Sequence, residues 1–264
     1  MRTINDFKTA RNEKRPISMI TCYDFAYARL IEQTEIDTIL VGDSLGNVFA
    51  GYSTTVPVTL DQMIYHTEIV RRGAPSMFVI ADLPFMSYHV SIEDTMRNCG
   101  RVMKETGANA VKLEGGRDFA KTMEAITKAS IPVVGHLGLT PQSVHKLGGF
   151  TVQGREEDKR RIMIEDAKTL EQAGVFCIVL EMVPEVLAKE ITESISIPTI
   201  GIGAGRYTSG QVLVINDLLG VDERFKPKFL KKYVNLADIV KGALAGYHDD
   251  VVAGRFPAEE HAFK

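Results

Sequence analysis

Met77-Phe-Val-Ile-Ala-Asp82, a helical stretch over Ile92–Thr106 stopped by Gly107, and then Ala110-Val-Lys-Leu-Glu114 follow one another within residues 77–114. A short β-branched or aliphatic run, a helix and a second such run read as one parallel βαβ unit. The unit recurs on both sides. Strands are predicted at Ser18–Thr21, Thr38–Val41, Met77–Ala81, Ala110–Leu113, Pro132–Gly135, Phe176–Leu180, Thr199–Ile202 and Val212–Ile215. Helices are predicted at Leu60–Arg72, Ile92–Thr106, Arg117–Ala129, Glu156–Ala173 and Glu185–Ser194, several closed by a stop glycine such as Gly73 or Gly174. A last helical region, Leu230–Val251, completes the count.

About eight strands with intervening helices over roughly 250 residues is the arithmetic of a (β/α)8 TIM barrel. A doubly wound open sheet uses the same units. Against it, no Gly-x-Gly-x-x-Gly follows the first strand, where a dinucleotide fold puts one. With no Pro- or Ser-rich linker and no low-complexity tract, residues 1–264 are expected to form a single barrel domain. Two irregular stretches, Gly42–Pro57 and Leu137–Arg155, leave the C-terminal ends of predicted strands. That is the face where barrel active sites are built, and long loops in compact domains tend to carry function.

Composition narrows the function. Of 264 residues, 45% are hydrophobic and 25% charged, and 31 Lys and Arg against 34 Asp and Glu leave a net charge of −3. That balance lacks the basic footprint of a nucleic-acid binder. Lys226-Pro-Lys-Phe-Leu-Lys-Lys232 is the strongest basic run and reads as a solvated turn and helix start. Apolar runs fall far below the roughly 20 residues of a membrane span, and the polar N-terminus lacks a secretory signal's apolar stretch. Cys22, Cys99 and Cys177 are scattered and odd in number, so no disulfide framework or structural zinc site is expected and the cytoplasm is the simple location.

An acid recurs where a buried strand finishes: Asp43 after Thr38-Ile-Leu-Val-Gly, Asp82 after Phe78-Val-Ile-Ala, Glu114 after Ala110-Val-Lys-Leu, and Glu181 after Cys177-Ile-Val-Leu. In a barrel, Asp43, Asp82 and Glu114 come from three adjacent strands. Three crowded carboxylates stay ionised only if a cation compensates them, and oxygen donors without a Cys or His cluster favour Mg²⁺. Any one of these aspartates equally serves as a helix N-cap. Lys112 lies two residues before Glu114, so on a strand both point the same way. Buried, it must be paired or bind an anion: a structural ion pair or a donor to a substrate carboxylate. Adjacent acids would stabilise its protonated form, which argues against a Schiff base. Glu181, across the mouth, is placed as a general base or as a salt-bridge partner. His136 is predicted to end strand five, as a pocket residue or a hydrogen-bonded structural one. Ile200-Gly-Ile-Gly-Ala-Gly205 offers an anion cradle or tight rim packing. These residues describe a Mg²⁺-assisted barrel enzyme handling a small oxyanionic substrate.

The strings Val41-Gly-Asp-Ser-Leu-Gly46, Ala81-Asp-Leu-Pro-Phe-Met86, Val111-Lys-Leu-Glu-Gly-Gly116, Gly135-His-Leu-Gly-Leu-Thr-Pro-Gln142 and Gly201-Ile-Gly-Ala-Gly205 resemble those of the ketopantoate hydroxymethyltransferases. Val152-Gln-Gly-Arg155 and Glu259-Glu-His261 extend the resemblance, which runs in order from about Thr21 to the C-terminus and is weak over Glu223–Val251. It implies a barrel of the phosphoenolpyruvate/pyruvate type, built as a homodecamer, a pentamer of dimers. It implies hydroxymethyl transfer from 5,10-methylenetetrahydrofolate to 3-methyl-2-oxobutanoate through a Mg-stabilised enolate, giving 2-dehydropantoate for pantothenate and coenzyme A synthesis. By the same resemblance Asp43, Asp82 and Glu114 are metal ligands, Glu114 through water. Asp43, Ser44, Asp82, Lys112 and His136 contact substrate, and Glu181 is the proton acceptor.

Two other readings compete. One is a Mg²⁺-dependent carbon–carbon lyase of the same superfamily. Such lyases often carry a reactive cysteine in a long loop after a strand, and none of the three cysteines here lies in either long loop. The other is a non-catalytic scaffold, which would not retain four acids and a lysine at the mouth, because unused buried charge is destabilising.

Overall fold

The computed structural model describes residues 3–149 and 151–263, and the chain divides into two compact units, one ending at Val214 and one beginning at Ile215. Within the first unit, eight parallel strands close a barrel in sequence order. They are β1 (Ile17–Thr21), β2 (Thr38–Val41), β3 (Phe78–Asp82), β4 (Ala110–Glu114), β5 (Val133–Gly138), β6 (Cys177–Glu181), β7 (Thr199–Ile202) and β8 (Gly210–Leu213). The helices of this unit are α1 (Ile4–Asn12), α2 (Phe25–Ile31), α3 (Leu45–Val48), α4 (Leu60–Gly73), α5 (Ile92–Thr106), α6 (Ala120–Lys128), α7 (Val144–Leu147), α8 (Glu157–Gln172) and α9 (Glu185–Ser194).

Local chemistry sets the helix ends. Thr59 Oγ1 accepts from Gln62 N–H while Gln62 Oε1 accepts from Thr59 N–H, a reciprocal cap at the start of α4. Ser91 Oγ accepts from Asp94 N–H at the start of α5, and Gly107 ends it in the left-handed conformation, φ 70°.

The core has two shells. Between strands and helices pack Leu83, Val111, Leu113, Met123, Ile126, Leu170, Ile178 and Leu180. Inside and below the barrel pack Met19, Leu40, Phe78, Ile80, Ala110, Val134, Cys177, Val179, Ile200 and Val212. Side chains on a strand alternate faces. The interior residues Phe78 and Ile80 therefore bring Asp82 inward, Ala110 brings Lys112 and Glu114, Val134 brings His136, and Cys177 with Val179 brings Glu181. The lower barrel is filled with hydrocarbon and its C-terminal mouth with charge.

Several elements differ from the sequence reading. α2 was not read from the sequence, and α3 and α7 lie in the two stretches read as irregular. β8 begins at Gly210, two residues before the predicted Val212, and Ile215 opens the following helix. The cause is barrel closure: Gly210 pairs with Ile17, and a Cβ there would lie 2.3 Å from the Ile17 carbonyl oxygen. β5 runs on to Gly138, so His136 sits inside the strand, paired with Glu114 and Val179, and does not end it. Finally, α1 was not read from the sequence at all. Its Phe7 is fully buried and meets the rings of Phe78 and Phe176 edge-on at 5.1 and 5.2 Å. Arg11 holds α1 in place by donating to the carbonyls of Thr192 and Ile195.

The second unit contains α10 (Ile215–Leu218) and α11 (Leu236–Val252). α11 starts at Leu236 and not at Leu230, because Leu230 N–H closes a turn on Pro227 and Tyr233 N–H bonds the Leu218 carbonyl.

Phe7→Ala should destabilise the protein by about 3–5 kcal/mol, the usual loss for a buried phenylalanine that leaves a cavity. Denaturant unfolding measures it, and a loss near zero would show that α1 is not part of the core.

Candidate active site

Strand register brings the mouth residues together. Asp82 on β3 is the lateral partner of Lys112 on β4, and Glu114 on β4 is the partner of His136 on β5. Lys112 Nζ lies 2.7 Å from Asp82 Oδ1, with both side chains buried. His136 stands between two acids, Nδ1 3.2 Å from Glu114 Oε1 and Nε2 3.3 Å from Glu181 Oε2. Lys112 Nζ is 3.4 Å from the same Nδ1. The Glu181 side chain keeps 21% of its exposure, where Glu114 keeps 4%.

Asp43 arrives from the loop after β2. Its N–H donates to Asp82 Oδ2 at 3.0 Å. Gly42 makes room for that approach, since a Cβ there would sit 2.8 Å from Ser44 Oγ and 3.5 Å from Asp82 Oδ2. Ser44 Oγ and Tyr23 Oη are hydrogen-bonded at 2.9 Å. All the residues singled out in the sequence for the site, Asp43, Ser44, Asp82, Lys112, Glu114, His136 and Glu181, thus gather at one end of the barrel. Sequence reasoning missed the roles of Tyr23, Tyr88 and Gln142. Tyr88 Oη donates to Gln142 Oε1 at 2.7 Å, and the Gln142 N–H donates to Glu114 Oε2 at 3.0 Å. A glutamine in a glycine-rich loop reads like any solvated polar residue, and nothing in its immediate sequence marks it as buried.

Electrostatics follows from burial. Desolvation, then the charges of Asp82 and Glu114, push the Asp43 carboxyl up to about 8. Burial also raises Asp82, against the opposing pull of Lys112. Burial works to lower Lys112, but Asp82, Glu114 and Asp43 outweigh it and hold the ammonium above its ordinary value. It is a firmly protonated cation and no Schiff-base nucleophile. For His136, burial and Lys112 pull downward, and contacts with Glu114 and Glu181 overcome them to reach about 9.

The carboxylates fit a divalent cation. Asp82, Glu114 and Asp43 bring three carboxylates together in a buried site where Lys112 and His136 are their charged partners, and Asp43 is driven toward protonation. Among the described residues, no three His, Cys, Asp or Glu side chains form a ready metal cage. Mg²⁺ does not require one, since it takes one or two carboxylates and keeps water and substrate oxygens in its other positions.

The glycine-rich segment after β7 packs the rim. A Cβ at Gly205, φ 76°, would meet Glu185 Cγ at 2.4 Å, and one at Gly201 would meet Thr208 Oγ1 at 2.8 Å. The cysteines are buried and free, in or next to β1, α5 and β6. Burial pushes Cys22 up to about 11 and Cys99 up to about 12, which makes poor nucleophiles of them.

Comparison with solved structures places the fold. The 2,3-dimethylmalate lyase structure, from the PEP mutase/isocitrate lyase superfamily, aligns with a TM-score of 0.61 at 12% identity over 100% of this chain and 92% of its own. Phosphonopyruvate hydrolase in complex with oxalate and Mg²⁺ aligns at 0.61 and 12%, over 98% and 93%. These structures share the fold of this chain, a closed (β/α)8 barrel. Sequence goes further. The model of the ketopantoate hydroxymethyltransferase family matches residues 1–259. The 3-methyl-2-oxobutanoate hydroxymethyltransferase of Pseudothermotoga lettingae is 56% identical over 99% of this chain and 98% of its own, and that of Leptospira interrogans 54% over 97% of each. The chain belongs to the ketopantoate hydroxymethyltransferase family, and it is an enzyme, a transferase moving a hydroxymethyl group in pantothenate biosynthesis. No helix among the described residues is long and apolar enough to cross a membrane. The lyase and scaffold readings both give way.

A pH dependence follows for metal-free protein. The unfolded chain holds Asp43 near its ordinary 3.8 and the folded chain holds it at about 8, so between these values the folded state binds the extra proton. Stability from this group therefore falls as pH rises through that window. In EDTA, Asp43→Asn should melt several degrees above wild type at pH 8 and converge with it as pH falls to about 4. Calorimetry across that range checks this, and parallel curves would contradict it.

Proposed function

We propose that this enzyme takes the one-carbon unit from 5,10-methylenetetrahydrofolate and 3-methyl-2-oxobutanoate as acceptor, with Glu181 as base. The observation that carries this reading is the buried cluster of Asp43, Asp82, Glu114 and Lys112, coupled through His136 to a more exposed Glu181. Asp43 and Asp82, with Glu114 through water, would hold Mg²⁺. When bound, Mg²⁺ supplies Lewis-acid polarisation of the substrate's keto group, and a phosphonopyruvate hydrolase of the same fold is known in complex with oxalate and Mg²⁺.

The chain's own residues do the rest. Lys112 presents a permanent positive charge to the keto acid's carboxylate, and Ser44 Oγ, held by Tyr23, donates to the same group. Water hydrolyses the methylene unit of the folate to formaldehyde, breaking its two C–N bonds and releasing tetrahydrofolate. The Glu181 carboxylate takes the C3 proton, C3 attacks the formaldehyde carbon, the resulting alkoxide takes up a proton, and 2-dehydropantoate results. His136 bridges Glu114 and Glu181, so it holds the base in line and steadies the proton it collects. The four-carbon-substituted C3 of the product has no proton left to lose, so no second hydroxymethyl group can be added at that carbon.

The same reading places the enzyme in the cytoplasm, in keeping with its free, buried thiols, and in a homodecamer. Ile239, Val240, Leu244 and Tyr247 on α11 are exposed, and an apolar group of this kind suits a contact between subunits.

Incubated in deuterium oxide with Mg²⁺, wild-type enzyme should exchange the C3 proton of 3-methyl-2-oxobutanoate, followed by NMR. Glu181→Gln should slow this by about 10²–10⁴-fold; exchange at the native rate would remove Glu181 from the role of base. Separately, saturating Mg²⁺ should raise the melting temperature of wild type, as any ligand of the native state does. Asp43→Asn and Asp82→Asn should each abolish the rise, and a rise that survives both would place the ion elsewhere.

A further inference from the structure

Gln142 sits in the loop after β5, in a 3₁₀ segment (Pro141–Ser143), and is buried. Its side chain makes three hydrogen bonds and its main chain a fourth, each to a different part of the mouth. Nε2 donates one proton to Asp43 Oδ2 and the other to the carbonyl of Leu83, both at 2.9 Å. Oε1 accepts from Tyr88 Oη at 2.7 Å. The main-chain N–H donates to Glu114 Oε2 at 3.0 Å. Tyr88 closes the circuit, its hydroxyl accepting from Glu114 N–H at 3.3 Å. One residue thereby ties together the chain following β2, β3 and β4.

The orientation of this amide is dictated by chemistry. Nε2 faces a carboxylate and a carbonyl, which can only accept, and Oε1 faces a hydroxyl that can donate. The flipped amide would set an oxygen against two acceptors and its NH₂ against a hydroxyl already receiving the Glu114 N–H. Every polar atom of the Gln142 amide group is used, with no donor left over. The consequence falls on the two carboxylates. Asp43 has Oδ2 occupied, which leaves Oδ1. Glu114 has Oε2 occupied by the main-chain N–H, which turns Oε1 toward His136 Nδ1 at 3.2 Å.

We infer that Gln142 is the positioning residue of the cation site, fixing which oxygen of Asp43 and of Glu114 is presented. This rests on the reading of those acids as Mg²⁺ ligands given above. Gln142 touches no substrate and takes no proton. It acts by holding two ligands in one geometry, in the way that outer-sphere hydrogen bonds orient metal ligands generally. Tyr88 belongs to the same device, one step further out, because it fixes the amide that fixes Asp43.

The test is Mg²⁺ titration calorimetry on the purified full-length protein, without substrate, for wild type, Gln142→Leu, Tyr88→Phe and the double variant. Gln142→Leu should weaken Mg²⁺ binding by about 10–100-fold. Tyr88→Phe should weaken it less, and the double variant no more than Gln142→Leu alone, because both act through one amide. In turnover assays the Mg²⁺ concentration for half-maximal rate should rise by the same factor in Gln142→Leu, with a much smaller drop in the plateau. A variant that melts earlier without metal yet binds Mg²⁺ as wild type does would overturn the proposal, leaving Gln142 a purely structural residue. Wild type that binds no Mg²⁺ would overturn it together with the metal reading, and only that result would do so. If Gln142→Leu fails to fold, Tyr88→Phe, which keeps the amide and removes only its orienting hydroxyl, decides alone: unchanged affinity refutes the inference.

Discussion

The mouth of this barrel depends on a lysine that has no business in a protein interior unless acids surround it. Lys112 is buried 2.7 Å from Asp82, and the lateral pairing of β3 with β4 sets the two opposite each other. Removing either partner would strand a charge in a low-dielectric environment, a far larger loss than the pair gains in isolation. Yet one ammonium does not balance three acids. Without metal, protons make up the remainder, with Asp43 pushed up to about 8 and His136 to about 9, and a divalent cation bound there as proposed would take the place of those protons.

The layering of the interior explains how a stable fold accommodates such a cluster. Phe78, Ile80, Ala110, Val134, Cys177 and Val179 fill the lower barrel with hydrocarbon, and α1 seals it from beneath through Phe7. The charges occupy only the last turn of each inward-facing alternation. Close approaches at glycines bring the loops onto this layer: at Gly138, φ 96°, a Cβ would meet the Glu181 carbonyl oxygen at 2.2 Å. Glu181 is thus held from behind by a backbone contact that no side chain could share. Structures only 12% identical share the barrel.

Much of this was legible in the sequence, for a physical reason. Parallel strands buried on both faces announce themselves as apolar runs, and a charge at the end of such a run stands out. Asp43, Asp82, Lys112, Glu114 and Glu181 were found that way. Period-two alternation was enough to set Lys112 and Glu114 on one face. What stayed hidden depends on contacts far apart in the chain. The polar look of Thr3 to Asn12 disguised a helix whose Phe7 is its main anchor in the core. Gly210 looked like the residue before a strand, when the close packing of β1 on β8 makes it the strand's first residue. Gln142 carried no local signal of partners at positions 43, 83, 88 and 114.

Closure of the barrel also has a meaning for how the protein comes into being. Ile17 pairs with Gly210, so the first strand made must wait for the last. Until then, β1 presents an open edge with unpaired backbone groups, and the hydrocarbon of the lower barrel has no lid on that side. Long-range pairing of this kind is slow, and exposed edges of intermediates are where chains associate wrongly. During translation the growing chain must carry that unsatisfied edge until nearly all of the barrel has left the ribosome. The cost of the architecture is borne at synthesis, in dependence on the cell's means of shielding unfinished chains.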